Sequence, residues 1–168
     1  MREWTDEDSS EIVAMLDSRE ITRWTRIPYP YAESDEREFR VAAAASRAAG
    51  EAASFAIASA TGNHGLLGSI GLRILSWPDR RGELGYYVRE SAWGRGIAPR
   101  AVRLVSGWGF QRLGLERLEI HVDPRNPRSQ RVAEKAGFTR EGVLRSYTRI
   151  GEGARVDMAC YSLLPEEL

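Results

Sequence analysis

A glycine-rich turn between a strand and a helix constrains this 168-residue chain more than any other feature. Apolar residues alternate at Leu84, Tyr86 and Val88, which predicts a strand. The turn at 93–98 follows, and it reads Trp-Gly-Arg-Gly-Ile-Ala. Its two glycines allow a close approach of the backbone to a ligand, and Pro99 fits the first turn of a helix.

The helix that follows this turn is amphipathic, with apolar residues spaced i, i+3, i+4 and i+7 at Ala101, Leu104, Val105 and Trp108. The start of such a helix presents unpaired N–H groups and a positive dipole end, which suit an anion such as a diphosphate. The turn lacks the Gly-Lys-Ser/Thr of a nucleotide P-loop and the third glycine of a dinucleotide fingerprint. Taken alone, the pattern fits a tight turn without a ligand equally well.

A second strand and helix lie about thirty residues further along the chain. Residues 118–122 alternate in polarity, so this strand has one polar face, which carries His121. Asn126 and Pro127 are a good N-cap and first helical residue, and Gly137 is a good helix stop.

These two segments, in this order and separation, resemble the GNAT superfamily of acyl-CoA-dependent N-acyltransferases, and within it the RimJ/RimL-like subgroup. The family's first motif, Gln/Arg-x-x-Gly-x-Gly/Ala, corresponds to 93–98. Its second motif, Asn-x-x-Ser/Ala ending in Lys-x-Gly-Phe, corresponds to 126–138. Segments 141–145 and 157–163 resemble the last two strands of the subgroup, so the resemblance covers roughly 55–164.

The resemblance implies an α/β (α+β) GNAT fold: a mixed, mostly antiparallel sheet of six or seven strands with a splayed parallel pair, and helices on both faces. We expect one domain over 1–168. Local patterns predict helices at 6–16 and 34–49 and strands at 54–59 and 66–75. A hairpin turn is expected at 61–65, with His64 in its tip and without a catalytic role, and the first strand has only residues 1–4 available.

The resemblance also implies acetyl-CoA as a co-substrate and names the residues that bind it. Backbone amides of the turn would hold the diphosphate, and backbone groups of the first strand would bond the pantetheine arm. The start of the second helix would touch the cofactor, although its asparagine can instead cap the helix, or do both. The turn residues are Arg95, Gly96, Ile97 and Ala98. The strand residues are Tyr86 and Val88, and the helix residues are Asn126 and Ser129. Two departures stand out: Trp93 replaces the usual Gln or Arg, and Pro99 replaces a common hydroxyl residue, which predicts weaker diphosphate binding.

For the general base, Glu83 is the first candidate, because several family members have a carboxylate at this position that reaches the amine. An ion pair with Arg80 or Arg81 is an equally good interpretation of Glu83. Glu141 and His121 are lesser candidates for the same role.

For the general acid, the position that carries a tyrosine in many GNAT enzymes is Ala133. Ser129 matches the serine that the RimL-like subgroup has near the thioester sulfur, so its hydroxyl is the candidate that protonates or stabilises the leaving thiolate. A serine in a first helical turn also commonly bonds local backbone groups.

Composition limits the partners of this chain. Its 24 basic and 24 acidic residues balance, which argues against nucleic acid and against an anionic membrane surface. The single cysteine, Cys160, lies in an apolar run, which predicts a buried core position and no internal disulfide. We expect a cytoplasmic monomer or homodimer without a metal.

Together these features predict transfer of an acetyl group to a primary amine by direct attack in a ternary complex. The acceptor is left open between a protein N-terminal α-amine and a small-molecule amine, and a catalytically silent acyl-CoA sensor is a third hypothesis. The aromatic segment 24–31 is interpreted either as the acceptor side of the cleft or as a packed loop.

Overall fold

The computed structural model of this chain describes residues 1–59, 65–150 and 153–168. His64, and with it most of the hairpin turn expected at 61–65, lies outside these residues. The described strands are β1 (Ala52–Ala58), β2 (Leu66–Ser76), β3 (Arg81–Val88), β4 (Arg117–Val122), β5 (Thr139–Arg149) and β6 (Arg155–Leu163). The described α-helices are α1 (Ser9–Leu16), α2 (Arg19–Thr22), α3 (Glu33–Ala48), α4 (Ile97–Leu113) and α5 (Pro127–Lys135).

The strands form one sheet in the order β1-β2-β3-β4-β6-β5. Of the paired strands in the described part of the chain, β3 and β4 alone run parallel. The predicted mixed, mostly antiparallel sheet is therefore confirmed. Ahead of the helices, Arg2 forms an isolated antiparallel bridge with Ala56 in place of a first strand.

Helices cover both faces of this sheet, as predicted. On β1, Phe55 and Ile57 pack in a core with α4 and α5, whereas Ala56 between them packs in a second core with α1. This alternation follows from the two-residue period of a strand. None of the described helices is both long and apolar enough to cross a membrane.

The side of α4 that faces the sheet differs from the predicted one at a single position. Ala101 and Val105 are buried as expected, but Leu104 is 54% exposed. Val102 takes the inward place and is fully buried. Trp108 packs edge-on against Phe55, with ring centroids 5.5 Å apart.

Candidate active site

The parallel pair separates in the middle of the sheet. β3 and β4 pair at Arg81 with Arg117, Gly82 with Leu118 and Glu83 with Glu119, although β3 continues to Val88 and β4 to Val122. Beyond Glu83 the two strands therefore diverge and leave a gap between them.

Backbone groups of β3 point into this gap. The N–H of Arg89 donates to the C=O of Leu67 (2.8 Å), and the register of β2 with β3 is regular from Val88 to Glu83. Because backbone groups alternate in direction along an antiparallel pair, those of Tyr86 and Val88 face β4. The C=O of Val88 accepts a hydrogen bond from the indole N–H of Trp93 (2.7 Å). The N–H of Val88 and both backbone groups of Tyr86 thus face the gap, where an extended ligand could add like a strand.

The glycine-rich turn adopts the backbone conformation that its sequence predicts. Gly94 and Gly96 have positive φ angles of 76° and 72°, and Gly96 is the N-cap of α4. Ile97 and Ala98 therefore open the helix with N–H groups that have no partner within it, whereas Pro99 has no N–H at all. This is a helix terminus suited to an anion.

A cleft of about 840 Å³ joins the gap to the turn. Of the site residues predicted from the sequence, nine line it: Glu83, Tyr86, Val88, Gly96, Ile97, Ala98, His121, Asn126 and Ser129. Arg95 does not line the cleft and its side chain is exposed, so its predicted role depends on its backbone N–H alone.

The start of α5 brings three predicted residues together. The side chain of Asn126 accepts a hydrogen bond from the N–H of Ser129 (3.1 Å), so Asn126 caps the helix. The Oη atom of Tyr86 lies 2.9 Å from Oγ of Ser129 and 3.2 Å from its backbone oxygen. Burial raises the pKa of Tyr86 above its ordinary value, so the phenol stays protonated. Ala133, the position of the usual tyrosine, is fully buried and has no access to the cleft.

Glu83 lies at the last paired position before the strands separate. Its Oε1 atom is 3.0 Å from Nδ1 of His121, and its other oxygen pairs with Arg73, which lies directly opposite on β2. Burial on its own would raise the pKa of Glu83, but the hydrogen bonds from His121 and Arg73 bring it below its ordinary value. Glu83 is therefore an ionised carboxylate that can accept a proton, although a weak base.

The arginines that the sequence offers as partners of Glu83 bind elsewhere. Arg80 pairs with Glu116 (2.9 Å), and Arg81 pairs with Glu119 (3.4 Å). The ion-pair interpretation of Glu83 was thus right in kind and wrong in partner, because the partner belongs to the neighbouring antiparallel strand.

Glu141 is unsuited to act as the base. Both of its oxygens accept hydrogen bonds from Arg117 (2.8 and 2.6 Å), and one also accepts from Ser162 (2.6 Å). These contacts lower the pKa of Glu141 to about 2. Glu141 also lies outside the lining of the cleft.

His121 is enclosed between two carboxylates. Its side chain is 3% exposed, its Nε2 atom lies 3.3 Å from Glu119, and the ring of Tyr147 packs 4.8 Å away, centroid to centroid. Because a carboxylate only accepts, Nδ1 must carry the proton in the bond to Glu83. His121 therefore supports the charge of Glu83.

A group of metal-ligating types occurs beside this pair. Atoms of Glu119, His121 and Cys160 lie within 4.8 Å of one another. Arg117 already binds Glu119 (2.9 Å), and burial raises the pKa of the Cys160 thiol, which disfavours the thiolate that a metal needs. Both effects argue against a cation, and the absence of a metal stays a prediction.

The aromatic segment 24–31 is partly packed and partly in the cleft, and its role on the acceptor side stays a prediction. Trp24 and Arg26 line the cleft, whereas Tyr31 is buried in the second core. Arg26 also donates to the Oγ1 atom of Thr148 on β5 (2.9 Å), which lines the same cleft.

The sequence analysis did not find three features of the cleft: the Tyr86 hydroxyl beside Ser129, the Arg73 partner of Glu83, and the indole of Trp93 beside Val88. The indole bonds Val88, and the Arg128 guanidinium lies 4.4 Å from its ring centroid. The departure of Trp93 from the family motif was a visible signal. The other two depend on pairings between distant segments.

Curated relatives resemble about three fifths of the chain. The uncharacterized N-acetyltransferase p20 of Bacillus licheniformis is 33% identical over 102 residues, which are 61% of this chain and 57% of that protein. The putative ribosomal N-acetyltransferase YdaF of Bacillus subtilis (strain 168) is 34% identical over 102 residues, which are 61% of this chain and 55% of that protein. The matched part thus spans little more than half the length of these relatives.

Solved structures resemble nearly the whole chain. RimJ of Mycobacterium smegmatis in complex with CoA-disulfide has a TM-score of 0.88 at 23% identity, with 99% of this chain and 82% of that one covered. Spermidine N-acetyltransferase of Vibrio cholerae in complex with CoA and spermine has a TM-score of 0.80 at 22% identity, with 99% and 95% covered. At these identities the likeness establishes the fold.

The splayed parallel strands, the glycine turn before α4 and the overall likeness define a GNAT-type acyltransferase fold, as the sequence predicted. The sequence profile of the acetyltransferase (GNAT) domain matches residues 1–139. The chain belongs to the acetyltransferase (GNAT) domain family.

Proposed function

We propose that this protein transfers an acetyl group from acetyl-CoA to a primary amine by direct attack in a ternary complex. The observation that carries the proposal is the cleft at the gap between β3 and β4. Its lining combines strand backbone free to bond a pantetheine arm, a helix start suited to a diphosphate, the carboxylate of Glu83 and the hydroxyl of Ser129.

The reaction requires movement of one proton and exchange of one bond. The amine nitrogen attacks the thioester carbonyl, the C–S bond breaks, and CoA leaves as a thiolate. Glu83 takes the proton that the amine loses, directly or through a water molecule, and the Ser129 hydroxyl stabilises or protonates the thiolate. Glu83 then releases its proton to solvent, and a proton from solvent returns to the serine or goes to the thiolate, so that one proton has moved from nitrogen to sulfur overall. No covalent acyl-enzyme is needed, since the amine and the thioester meet in one cleft.

Among primary amines we favour the N-terminal α-amine of a protein or peptide. An α-amine has a pKa of about 8, against about 10.4 for the ε-amine of lysine, so part of it is already neutral near pH 7. The lowered pKa of Glu83 suits this acceptor better than lysine, because a weak base takes a proton more readily from the less basic amine. The name of the relative YdaF, a putative ribosomal N-acetyltransferase, points the same way.

A polycationic acceptor receives less support from the charges of the cleft. Glu20, Glu83 and Asp123 line it, against the five cations Arg26, Arg73, Arg128, Arg131 and Lys135. Such a lining repels a polyamine more than a peptide terminus. A small-molecule amine of low charge and a silent acyl-CoA sensor are the remaining alternatives, and we place the activity in the cytoplasm.

The test is a panel of amines incubated with acetyl-CoA, with release of the CoA thiol followed and each product identified by mass spectrometry. The panel holds peptides with free N-termini, the same peptides with blocked N-termini and one free lysine, spermidine, and single amino acids. We expect CoA release with the free N-terminal peptides and acetylation at the α-nitrogen. Acetylation of lysine or spermidine alone would contradict the α-amine proposal, and binding of acetyl-CoA without release for any amine would favour the sensor.

A further inference from the structure

The hydroxyl groups of Tyr86 and Ser129 meet across the cleft from different elements. Tyr86 belongs to β3, on one side of the gap, and Ser129 belongs to the first turn of α5. Their oxygen atoms are 2.9 Å apart, and both residues line the cleft.

The protons of this pair can be arranged in two ways. In one arrangement Tyr86 donates to Oγ of Ser129, and the serine proton is free to point into the cleft. In the other, Tyr86 donates to the backbone oxygen of Ser129 (3.2 Å), and the serine donates back to the phenol. The first arrangement has the shorter phenol contact, and a negative charge in the cleft would favour it further, because the serine proton can then bond that charge.

The phenol stays a donor throughout catalysis. Burial raises the pKa of Tyr86 above its ordinary value, and a hydroxyl that accepts a hydrogen bond becomes a stronger donor to its own acceptor. A serine held in this way offers a better proton to an anion than a serine in water does.

We infer that Tyr86 is a positioning residue for acetyl transfer, whose hydroxyl donates to Ser129 and directs the serine proton toward the leaving sulfur of CoA. This inference rests on the proposed function, in which Ser129 faces the thioester. Tyr86 acts through Ser129 and is not required to touch the substrate through its hydroxyl.

The main alternative is that the Tyr86 hydroxyl only stabilises the packing of β3 against α5. Tyr161 provides a matched control for this alternative. It lies on β6, its ring is fully buried, and its hydroxyl donates to Gln130, the residue after Ser129 (3.2 Å). Tyr161 does not line the cleft. Tyr161→Phe therefore removes a comparable bond to the same helix and keeps both hydroxyls of the pair.

The experiment compares Tyr86→Phe, Ser129→Ala, the double variant and Tyr161→Phe. With the best amine, we expect Tyr86→Phe to lower kcat about tenfold, the size of one lost hydrogen bond, and to leave the KM for acetyl-CoA within about twofold. In the Ser129→Ala background, Tyr86→Phe should cause no further loss. Tyr161→Phe should keep the kcat of the parent protein.

A second readout needs no acceptor. The thiolate of bound CoA absorbs more ultraviolet light than the thiol, so its titration can be followed in difference spectra against the protein alone. We expect the bound thiol to titrate at higher pH in Tyr86→Phe and in Ser129→Ala than in the parent protein, and to be unchanged in Tyr161→Phe.

The outcomes separate this inference from the proposed function. Impairment by Ser129→Ala with normal kcat and thiol titration in Tyr86→Phe would overturn the inference alone. The inference would also be overturned if Tyr86→Phe lowered kcat equally with and without the Ser129 hydroxyl, or if it acted by raising KM. Either result would mean that the Tyr86 hydroxyl only stabilises the packing of β3 against α5. Full activity of Ser129→Ala, or failure of CoA to bind, would remove the proposed role of Ser129 and the inference with it.

Discussion

His121 and Glu83 form a hydrogen bond of 3.0 Å across the point where β3 and β4 begin to separate. The bond joins a nearly buried imidazole to the carboxylate at the edge of the cleft. Together with Arg73 it keeps Glu83 charged in an environment that would otherwise favour the neutral acid.

Arg73 should influence the pH at which activity is lost on the acid side of the pH profile. Arg73→Met removes one of the two groups that lower the pKa of Glu83, so that pKa should rise. Activity depends on ionised Glu83 and falls as the pH drops through its pKa. The lower inflection of the kcat/KM profile should therefore move to higher pH. If the lower inflection has the same pH in Arg73→Met as in the parent protein, Glu83 is not the group whose ionisation causes it.

The diphosphate is expected to provide much of the binding of acetyl-CoA. Acetyl-phosphopantetheine lacks the diphosphate that the helix start at Ile97 and Ala98 suits, so it should raise the thermal unfolding temperature much less than acetyl-CoA does. Thermal denaturation with matched ligand concentrations measures this. Equal shifts from the two ligands would exclude the turn as the diphosphate site.

Asn126 should stabilise the fold through its cap, whatever it contributes to binding. Asn126→Ala removes the acceptor of the Ser129 N–H and should lower the free energy of unfolding by about 0.5–2 kcal/mol. Asn126→Asp keeps an acceptor oxygen and should lose much less. Chemical denaturation distinguishes the two variants, and an equal loss from both would contradict the capping role.

The sequence predicts the parts of the site that depend on residues close together in the chain, and it does not predict the parts that depend on distant segments. The turn at Gly94 and Gly96 and the start of α5 at Asn126 depend on residues close in the chain, so local backbone preferences predict them. The Arg73–Glu83 and Tyr86–Ser129 pairs join segments that meet only through sheet register and helix placement. No pattern along the chain carries that information.

The same distinction explains the errors in the fold. Leu104 fits an apolar helical stripe, but Val102, on the opposite flank of that stripe, packs in the core instead. The short helix α2 (Arg19–Thr22) was not predicted, because four residues carry too little periodicity. β3 begins at Arg81, ahead of the alternation that starts at Leu84, since Arg81 and Gly82 pair with β4.

Glu141 should make the fold sensitive to acid. Its pKa is about 2 in the folded protein against an ordinary 4.5, so the folded state binds this proton less tightly than the unfolded state. The resulting stabilisation is present above about pH 4.5 and is lost as the pH falls toward about 2. Glu141→Gln should be less stable than the parent at pH 7, by a modest amount because the pair is partly exposed, and the difference should shrink below pH 4.5. A difference in unfolding free energy that is independent of pH would contradict this.

The central claim is that Glu83 accepts the proton of the amine during acetyl transfer. The most direct measurement is the pH profile of turnover for Glu83→Gln with the best amine, beside the parent protein and Glu141→Gln, a carboxylate control outside the cleft. We predict that Glu83→Gln binds acetyl-CoA normally but turns over about a hundredfold or more slowly near neutral pH, with a smaller loss at alkaline pH, where more amine is already neutral. Glu141→Gln should retain turnover. Full activity of Glu83→Gln, or a loss of the same size at every pH, would contradict the claim and make Glu83 a structural carboxylate.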